Sequence, residues 1–140
     1  MMNDFPLQEI PYPAHVLIVD DHNGNVVVAS AVLDMCGCSY KVAHNGKSAF
    51  DMIKEEDFDL ILMDIRMPIL DGISSTLCIR EFEKKAGRNA TPIIALTAHA
   101  FTTDREHCLA AGMDDYLCKP FDPEKFRETI DRFNSRFVNT

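Results

Sequence analysis

Residues 60–64 read Leu-Ile-Leu-Met-Asp, a run of four apolar residues that ends in a carboxylate. The same arrangement recurs, with two carboxylates, in residues 16–21, Val-Leu-Ile-Val-Asp-Asp. Two further runs end in other polar groups: residues 93–97, Ile-Ile-Ala-Leu-Thr, in a hydroxyl, and residues 116–119, Tyr-Leu-Cys-Lys, in an ammonium group. Short runs rich in Val, Ile and Leu are typical of strands that are buried on both faces of a parallel sheet. These four runs therefore predict four strands of one sheet.

Helical patterns separate the runs, and a further short strand is predicted at residues 40–43, so that strand and helix alternate five times. This order predicts an α/β fold, a single flavodoxin-like (βα)5 doubly wound domain with a central five-stranded parallel sheet. Ile73, Leu77 and Ile79 mark the predicted third helix. The predicted helix starts are the N-caps Asn23 and Asp122, the turn Asn45-Gly46, and a capping box of Thr103 with Glu106, unless that fourth helix begins a few residues earlier.

Length and composition describe an ordinary globular domain. The chain has 140 residues, of which 46% are hydrophobic and 26% charged. No apolar run approaches the roughly 20 residues that span a bilayer, so no membrane segment is expected. The net charge of -8 argues against nucleic acid as a partner. Residues 1–13 are punctuated by proline and predicted to be a tail or linker, which leaves residues 14–140 as the domain.

The cysteines also bear on the cellular compartment. There are five, and Cys36-x-Cys38 lacks the spacing and the second pair that a zinc site needs. We expect buried, reduced thiols that act as small apolar residues. Together with the lack of a secretory signal, this predicts a cytoplasmic protein, or the cytoplasmic side of a membrane-bound one.

The polar groups at the strand ends should meet, because ligands of open parallel sheets bind at the carboxyl ends of the strands. Clustered carboxylates repel one another unless a cation lies among them, and an oxygen-rich site suits Mg²⁺. A carboxylate beside such a cation can attack an activated phosphoryl group and become an acyl phosphate. A lysine would neutralise charge on the transferring group, and a threonine could donate a hydrogen bond to it. The expected members are Asp20, Asp21, Asp64, Thr97 and Lys119.

Four motifs together make the chain resemble a known family. They are residues 16–21, residues 63–72 (Met-Asp-Ile-Arg-Met-Pro-Ile-Leu-Asp-Gly), residues 93–98 and residues 115–121 (Asp-Tyr-Leu-Cys-Lys-Pro-Phe). Over residues 15 to about 137 the chain resembles the receiver domain of two-component response regulators, and most of all the receivers attached to hybrid sensor histidine kinases. His22 and Ser48 depart from the residues usual in that group, and we expect neither to touch the site.

The resemblance implies a role for each site residue. Asp64 would be the phosphoacceptor, and Lys119 would pair first with Asp64 and then with its phosphate. The cation, Mg²⁺ or Mn²⁺, would be held by Asp21 directly and by Asp20 mainly through water. The other implied roles are Asp64 and the backbone carbonyl of Arg66 as metal ligands, Thr97 as switch hydroxyl, Tyr116 as switch aromatic, and Arg66 and His99 as residues that tune phosphate hydrolysis.

The resemblance also implies a function in two-component or phosphorelay signal transduction. The domain would take a phosphoryl group from a phosphohistidine on a histidine kinase or a histidine phosphotransfer domain. It would then change its surface or relay the phosphate, and it would slowly lose its own phosphate without being a metabolic enzyme. A monomer or weak dimer is expected, either as a stand-alone protein or as a piece of a hybrid kinase.

Three other functions compete with this interpretation. A flavin- or nucleotide-binding module would need a Gly-, Ser- or Thr-rich loop after the first strand, where this chain has Asp-Asp-His-Asn. A phosphohydrolase with an aspartyl phosphate would need a second catalytic acid soon after Asp64, and residues 65–68 offer none. An interaction module that is not phosphorylated stays as the third alternative.

Overall fold

Strand and helix alternate five times along the chain, as the sequence predicts. The structure is a computed structural model that describes residues 14–98, 102–119 and 122–138. The strands are β1 (His15–Val19), β2 (Ser39–Ala43), β3 (Leu60–Asp64), β4 (Ile93–Thr97) and β5 (Asp115–Cys118). The helices are α1 (Asn23–Met35), α2 (Gly46–Glu55), α3 (Gly72–Ala86), α4 (Thr102–Ala111) and α5 (Pro123–Val138). The predicted tail, residues 1–13, lies outside the described residues.

All five strands are parallel and form one sheet in the order β2-β1-β3-β4-β5. The chain winds outward from β1 to β2 and then returns to β3, so the order reverses between β1 and β3. Ligands of doubly wound sheets bind at such a reversal. Val19 pairs with Met63, so the residues that follow them, Asp20 and Asp64, lie at the same level of neighbouring strands.

Helices cover both faces of the sheet, and this explains why its central strands are apolar at every position. All residues of β3 and β4 are buried, including the polar residues that end them: Asp64 is 3% exposed and Thr97 is 5% exposed. Successive side chains of a strand point to opposite faces. One face packs against α1 and α5, with Leu33 and Phe126 in its core, and the other packs against α2, α3 and α4. The predicted three-layer domain is confirmed.

Two of the predicted helix starts are confirmed and two are wrong. Asn45 accepts a hydrogen bond from Ser48 N at 2.8 Å, and Asp122 accepts one from Glu124 N at 3.0 Å. Asn23, however, is the first residue of α1, and His22 occupies the N-cap position without a side-chain cap. The physical reason is that the Asp20 carboxylate binds His22 N and so stabilises the turn itself.

The predicted capping box of α4 is wrong as well, because the helix begins earlier. Thr102 is its first residue, so Thr103 lies inside the helix and cannot be its N-cap. This is the alternative that the sequence left open. The side chain of Thr103 lies outside the described residues.

The buried side of α3 differs from the predicted one at Leu77, which is 54% exposed. Ile79 is buried as predicted, but Ser75 and Thr76 share its face. Their hydroxyls donate hydrogen bonds of 2.8 Å to the backbone oxygens of Gly46 and Gly72, which makes their burial favourable. An apolar pattern cannot reveal a helix face that is partly polar.

The cysteines are buried only in part. Cys38 and Cys108 are buried, whereas Cys36 and Cys78 are half-buried and Cys118 is exposed. Cys118 ends β5, the last strand of the sheet, and no other strand of the described residues lies on its outer side. The expectation of buried thiols therefore fails for Cys118.

Gly72 tests how closely the start of α3 is packed. A Cβ at this position would lie 2.2 Å from the backbone oxygen of Asp64, and no flexible side chain could move to make room. We expect Gly72→Ala to lower the free energy of unfolding by about 2 kcal/mol or more, as overpacked sites do. Gly24→Ala in α1 is the matched control, since a Cβ there meets nothing within 4 Å. The control should raise stability by about 0.5 kcal/mol. Urea denaturation of both variants checks this, and equal effects would contradict it.

Candidate functional site

Four strand ends bring charged and polar side chains together at the C-terminal edge of the sheet. Asp20 follows β1, Asp64 ends β3, Thr97 ends β4 and Lys119 follows β5. Lys119 Nζ lies 3.2 Å from Asp20 Oδ2 and 3.1 Å from Asp64 Oδ2. Both carboxylates are almost fully buried, so this ammonium group is a strong partner for them. The structure thus brings Asp20, Asp64 and Lys119 together, and Thr97 ends the strand next to Asp64.

The two buried carboxylates also belong to a cluster of possible metal-binding atoms that includes two exposed side chains, Asp21 and His22. Oxygen atoms of Asp20, Asp21 and Asp64 and a ring nitrogen of His22 all lie within 4.8 Å of one another. His22 Nδ1 is 3.0 Å from Asp21 Oδ1. The expectation that His22 does not touch the site is therefore wrong. Its position directly after Asp20-Asp21 in the sequence was the signal that could have indicated the contact.

Asp20 is held firmly, yet one of its oxygens has unused capacity. Its Oδ1 accepts hydrogen bonds from His22 N at 2.9 Å and from Asn25 Nδ2 at 3.5 Å. Its Oδ2 is buried, and no group in the described part of the chain donates a hydrogen bond to it, although the Lys119 charge is close. A buried carboxylate oxygen with a free lone pair suits a hard cation that prefers oxygen ligands. The donor set therefore fits Mg²⁺ or Mn²⁺.

The electrostatics of Asp64 lead to the same conclusion. Burial raises the pKa of Asp64, and the charge of Asp20 raises it further. Lys119 and the hydrogen bond from Arg66 N, at 3.3 Å, oppose this rise in the pKa without cancelling it. The site thus carries more negative charge than its own cation neutralises, and a bound divalent cation would relieve the repulsion.

Thr97 and Tyr116 lie beside the cluster on neighbouring strands. Asp64 pairs with Leu96, so Thr97 is one residue further along the same edge. Its backbone oxygen accepts a hydrogen bond from Lys119 N at 2.6 Å. Tyr116 is half-buried and pairs with Ala95, and the Arg105 guanidinium lies 5.1 Å from the centre of its ring. The tyrosine is therefore near the site but outside it.

Of the two residues expected to tune phosphate hydrolysis, only Arg66 lies within the described residues. Arg66 is exposed and contributes its backbone N–H to Asp64. His99 lies outside the described residues. A cavity of about 640 Å³, lined in part by Glu56, Arg88 and Pro92, lies at the opposite edge of the sheet and includes none of the site residues.

Known proteins resemble this chain in both sequence and fold. Residues 16–131 match the family described as response regulator receiver domain. The sensor protein GacS of Pseudomonas syringae pv. syringae is 36% identical over 115 residues, which cover 82% of this chain. The same stretch is only 13% of the length of that protein, so the chain spans a small part of this relative.

Two solved structures are similar as well. One is a chain from the co-crystal of the Saccharomyces cerevisiae histidine phosphotransfer signaling protein Ypd1 with the receiver domain of its downstream response regulator Ssk1. It has a TM-score of 0.84 and 34% identity, with 91% of this chain and 92% of that chain covered. The other is the receiver domain of sensor histidine kinase PA1611 from Pseudomonas aeruginosa, with magnesium coordinated in its active site cleft. Its TM-score is 0.79 with 39% identity, and 89% of this chain and 99% of that chain are covered. In the described residues, no helix has the length and apolarity needed to cross a membrane.

Removal of one buried negative charge should stabilise the metal-free protein. We expect Asp64→Asn, in buffer with EDTA, to raise the free energy of unfolding by about 1 kcal/mol or more, because it removes a charge that is disfavoured by burial and by repulsion from Asp20. Mg²⁺ should then stabilise the unaltered chain more than the variant. The control is Asp34→Asn, an exposed carboxylate on α1, with a change within about 0.5 kcal/mol. Urea denaturation with and without Mg²⁺ measures both. A variant no more stable than the unaltered chain would contradict the charge argument.

Proposed function

The chain belongs to the response regulator receiver domain family, and from this premise we propose that Asp64 accepts a phosphoryl group from a phosphohistidine. The observation that carries the proposal is the pair of contacts from Lys119 Nζ, at 3.1 Å to Asp64 and 3.2 Å to Asp20. These contacts support the proposal because they put an ammonium group beside the carboxylate that would act as the nucleophile, at the C-terminal ends of the strands. A structural ion pair would not need a second buried carboxylate and the exposed Asp21 carboxylate beside it.

The transfer step needs no residue beyond those at the site. A carboxylate oxygen of Asp64 attacks phosphorus as the phosphorus–nitrogen bond to the donor imidazole breaks. An acyl phosphate forms on Asp64, and the imidazole leaves as a neutral ring after it takes one proton from water. Lys119 stays close to the transferred oxygens and stabilises their charge.

The metal site would be formed by groups at the C-terminal ends of two neighbouring strands, β1 and β3. We propose that Asp21 and Asp64 hold Mg²⁺ or Mn²⁺ directly, with the Arg66 carbonyl, and that Asp20 acts mainly through water. When bound, the cation neutralises charge on the phosphoryl oxygens. The magnesium in the cleft of the PA1611 receiver, which is 39% identical to this chain, supports the assignment. Further support comes from the buried Asp20 Oδ2, to which no described group donates a hydrogen bond.

The signal would leave the site through Thr97 and Tyr116. A phosphoryl group adds negative charge and three acceptor oxygens, and the Thr97 hydroxyl can donate to one of them. Lys119 N donates a hydrogen bond to Thr97 O, so a shift of Thr97 would also move Lys119, the residue that follows β5. Tyr116, packed against Arg105 of α4, would report the shift at the surface. Arg66 and His99 would set the rate at which water removes the phosphate.

The wider assignment follows the relatives. We propose that residues 14–140 are the receiver, that residues 1–13 are a tail or linker, and that the domain acts on the cytoplasmic side as part of a hybrid kinase or alone. It would slowly dephosphorylate itself and would be a monomer or weak dimer. The alternative is an interaction module of the same fold that is never phosphorylated.

An apolar stripe on α1 suits a protein phosphodonor. Its exposed members lie on one side of the helix and include Val27, 65% exposed, and Met35, 69% exposed. Gly24, Val28 and Ala31 complete the stripe, which begins beside Asp21. Charged residues are nearly absent, since Asp34 is the only one in α1. We propose that a histidine phosphotransfer protein packs here, in keeping with the co-crystal of Ypd1 with a receiver 34% identical to this chain.

Phosphorylation of Asp64 is tested by intact-protein mass measurement after incubation with Mg²⁺ and phosphoramidate. We expect a gain of one phosphoryl group, none after Asp64→Ala, and none in EDTA. Asp71→Ser is the control, because serine keeps the N-cap of α3 while it removes a nearby carboxylate. The control should be phosphorylated like the unaltered chain. No gain in a folded unaltered chain would favour the interaction module.

The donor surface is tested with phosphorylated Ypd1, the phosphotransfer probe. We expect Val27→Asp to slow transfer from this probe about tenfold or more, because it places a charge in an apolar interface. Loading by phosphoramidate should not change. Leu109→Asp, an equally drastic change at a residue of α4 that is 49% exposed, should leave both rates as they are. Equal rates for Val27→Asp and the unaltered chain would contradict the docking surface.

A further inference from the structure

His22 directly follows the two carboxylates after β1, and its imidazole faces them. Its Nδ1 atom lies 3.0 Å from Asp21 Oδ1 and 3.6 Å from Asp20 Oδ1. With a carboxylate oxygen of Asp64, these ligand atoms all lie within 4.8 Å of one another. One nitrogen atom therefore belongs to a group whose other possible metal ligands are carboxylate oxygens.

The place of His22 in the fold does not account for its imidazole. The residue is the N-cap of α1, where Ser, Thr, Asp or Asn usually accepts a hydrogen bond from the helix, but the side chain of His22 makes no such bond. Its backbone is what the fold uses, because N donates to Asp20 Oδ1 at 2.9 Å and O accepts from Asn25 N at 3.1 Å. The side chain is 68% exposed, so it also gains little from burial.

The spacing of these atoms suits ligands that share one metal ion. Ligand atoms about 2.1 Å from the same ion lie about 3.0 to 3.4 Å apart in octahedral or tetrahedral geometry. The distance of 3.0 Å from His22 Nδ1 to Asp21 Oδ1 is in this range, and the distance of 3.6 Å to Asp20 Oδ1 is slightly above it. A separate observation also indicates a cation here, since no described group donates a hydrogen bond to the buried Asp20 Oδ2.

An imidazole changes which ion such a site binds well. Mg²⁺ prefers oxygen ligands and keeps several of its waters, so a nitrogen atom adds little to its binding. Zn²⁺ and the later first-row transition metals bind imidazole nitrogen strongly, and Zn²⁺ accepts histidine together with carboxylates. A set of one imidazole and several carboxylates therefore strengthens the binding of a transition metal selectively.

We propose that His22 is a metal ligand that strengthens the binding of Zn²⁺ and similar transition-metal ions without strengthening that of Mg²⁺. The same carboxylates would hold either ion, so Zn²⁺ would compete with Mg²⁺ for the site. His22 and Asp21 are exposed whereas Asp20 and Asp64 are buried, and an ion from solvent therefore reaches the imidazole without a change in the fold. This inference rests on the metal site of the proposed function and does not require phosphorylation of Asp64.

Replacement of His22 by asparagine separates the two ions. Asparagine is a favourable N-cap, so we expect the variant to fold. We expect His22→Asn to weaken Zn²⁺ binding about tenfold or more, because even the loss of an outer partner of a metal ligand costs about 10- to 100-fold. The Mg²⁺ affinity should change less than about twofold. Isothermal titration calorimetry with each ion measures both affinities, and every protein carries Cys118→Ser because an exposed thiol also binds Zn²⁺.

Two control variants and a second measurement locate the effect. Asp21→Asn should weaken the binding of both ions, since both would use this carboxylate. His107→Asn is the matched control, because His107 of α4 is exposed but is not one of the clustered residues, and it should change neither affinity. In NMR spectra, Zn²⁺ should shift the ring nitrogen signals of His22 strongly, and Mg²⁺ should not.

Each result has a separate meaning. Equal effects of His22→Asn on the two affinities would overturn the inference, since His22 would then act only through the charge of Asp21. Zn²⁺ binding that His22→Asn leaves unchanged would also overturn it. If neither ion bound the chain with His22 intact, the proposed metal site would be refuted together with the inference. Selective loss of Zn²⁺ binding in a chain that phosphoramidate does not load would refute the proposed function and support the inference.

Discussion

The ammonium group of Lys119 links β5 to β1 and β3, two strands that do not pair with β5 in the sheet. It follows β5 at the edge of the sheet, yet Nζ reaches 3.1 Å from Asp64 on β3 and 3.2 Å from Asp20 after β1. Its backbone N–H donates a hydrogen bond to Thr97 O, so Lys119 is linked to the end of β4 as well. Any change of charge at Asp64 therefore acts on β5 through the lysine. The same ion pair makes the buried carboxylates tolerable and couples them to the surface formed by α4 and β5.

The other end of that surface is fixed by a second set of charges. Arg80 of α3 donates to Glu83, to Asp114 and to the backbone oxygen of Gly112, at 2.7, 3.1 and 2.9 Å. Asp114 in turn accepts a hydrogen bond from Ile93 N at the start of β4. Hydrogen bonds and ion pairs thus link the loop between α4 and β5 to α3 at the N-terminal ends of the strands, the end of the sheet opposite to the site. A response to phosphorylation is expected to be largest near Thr97 and to decrease toward Gly112.

The sequence was sufficient for the layers and the carboxylates, because both depend on local patterns. Four apolar runs with polar ends gave the strands, and their parallel arrangement brought Asp20, Asp64 and Lys119 to one edge. Features that depend on distant partners were not predictable. The buried Ser75 needs the Gly46 oxygen, a partner 29 residues away in sequence. The contact of His22 with Asp21 depends on where α1 begins, and that start is set by the Asp20 carboxylate rather than by Asn23.

The unfavourable features of this domain are not spread evenly over its surface. Repelling carboxylates and a strained isoleucine, Ile69, occur in the loops after β1 and β3, and an exposed apolar stripe begins at the start of α1, the helix that follows β1. Away from these loops some exposed charges form ion pairs, as with Lys47 and Asp51, and the described residues with positive φ are glycines, as at Gly37 and Gly87. A mutation that relieved any one of these costs would stabilise the free domain. A concentration of such costs at one end of the sheet is the pattern expected where selection for function has taken precedence over stability.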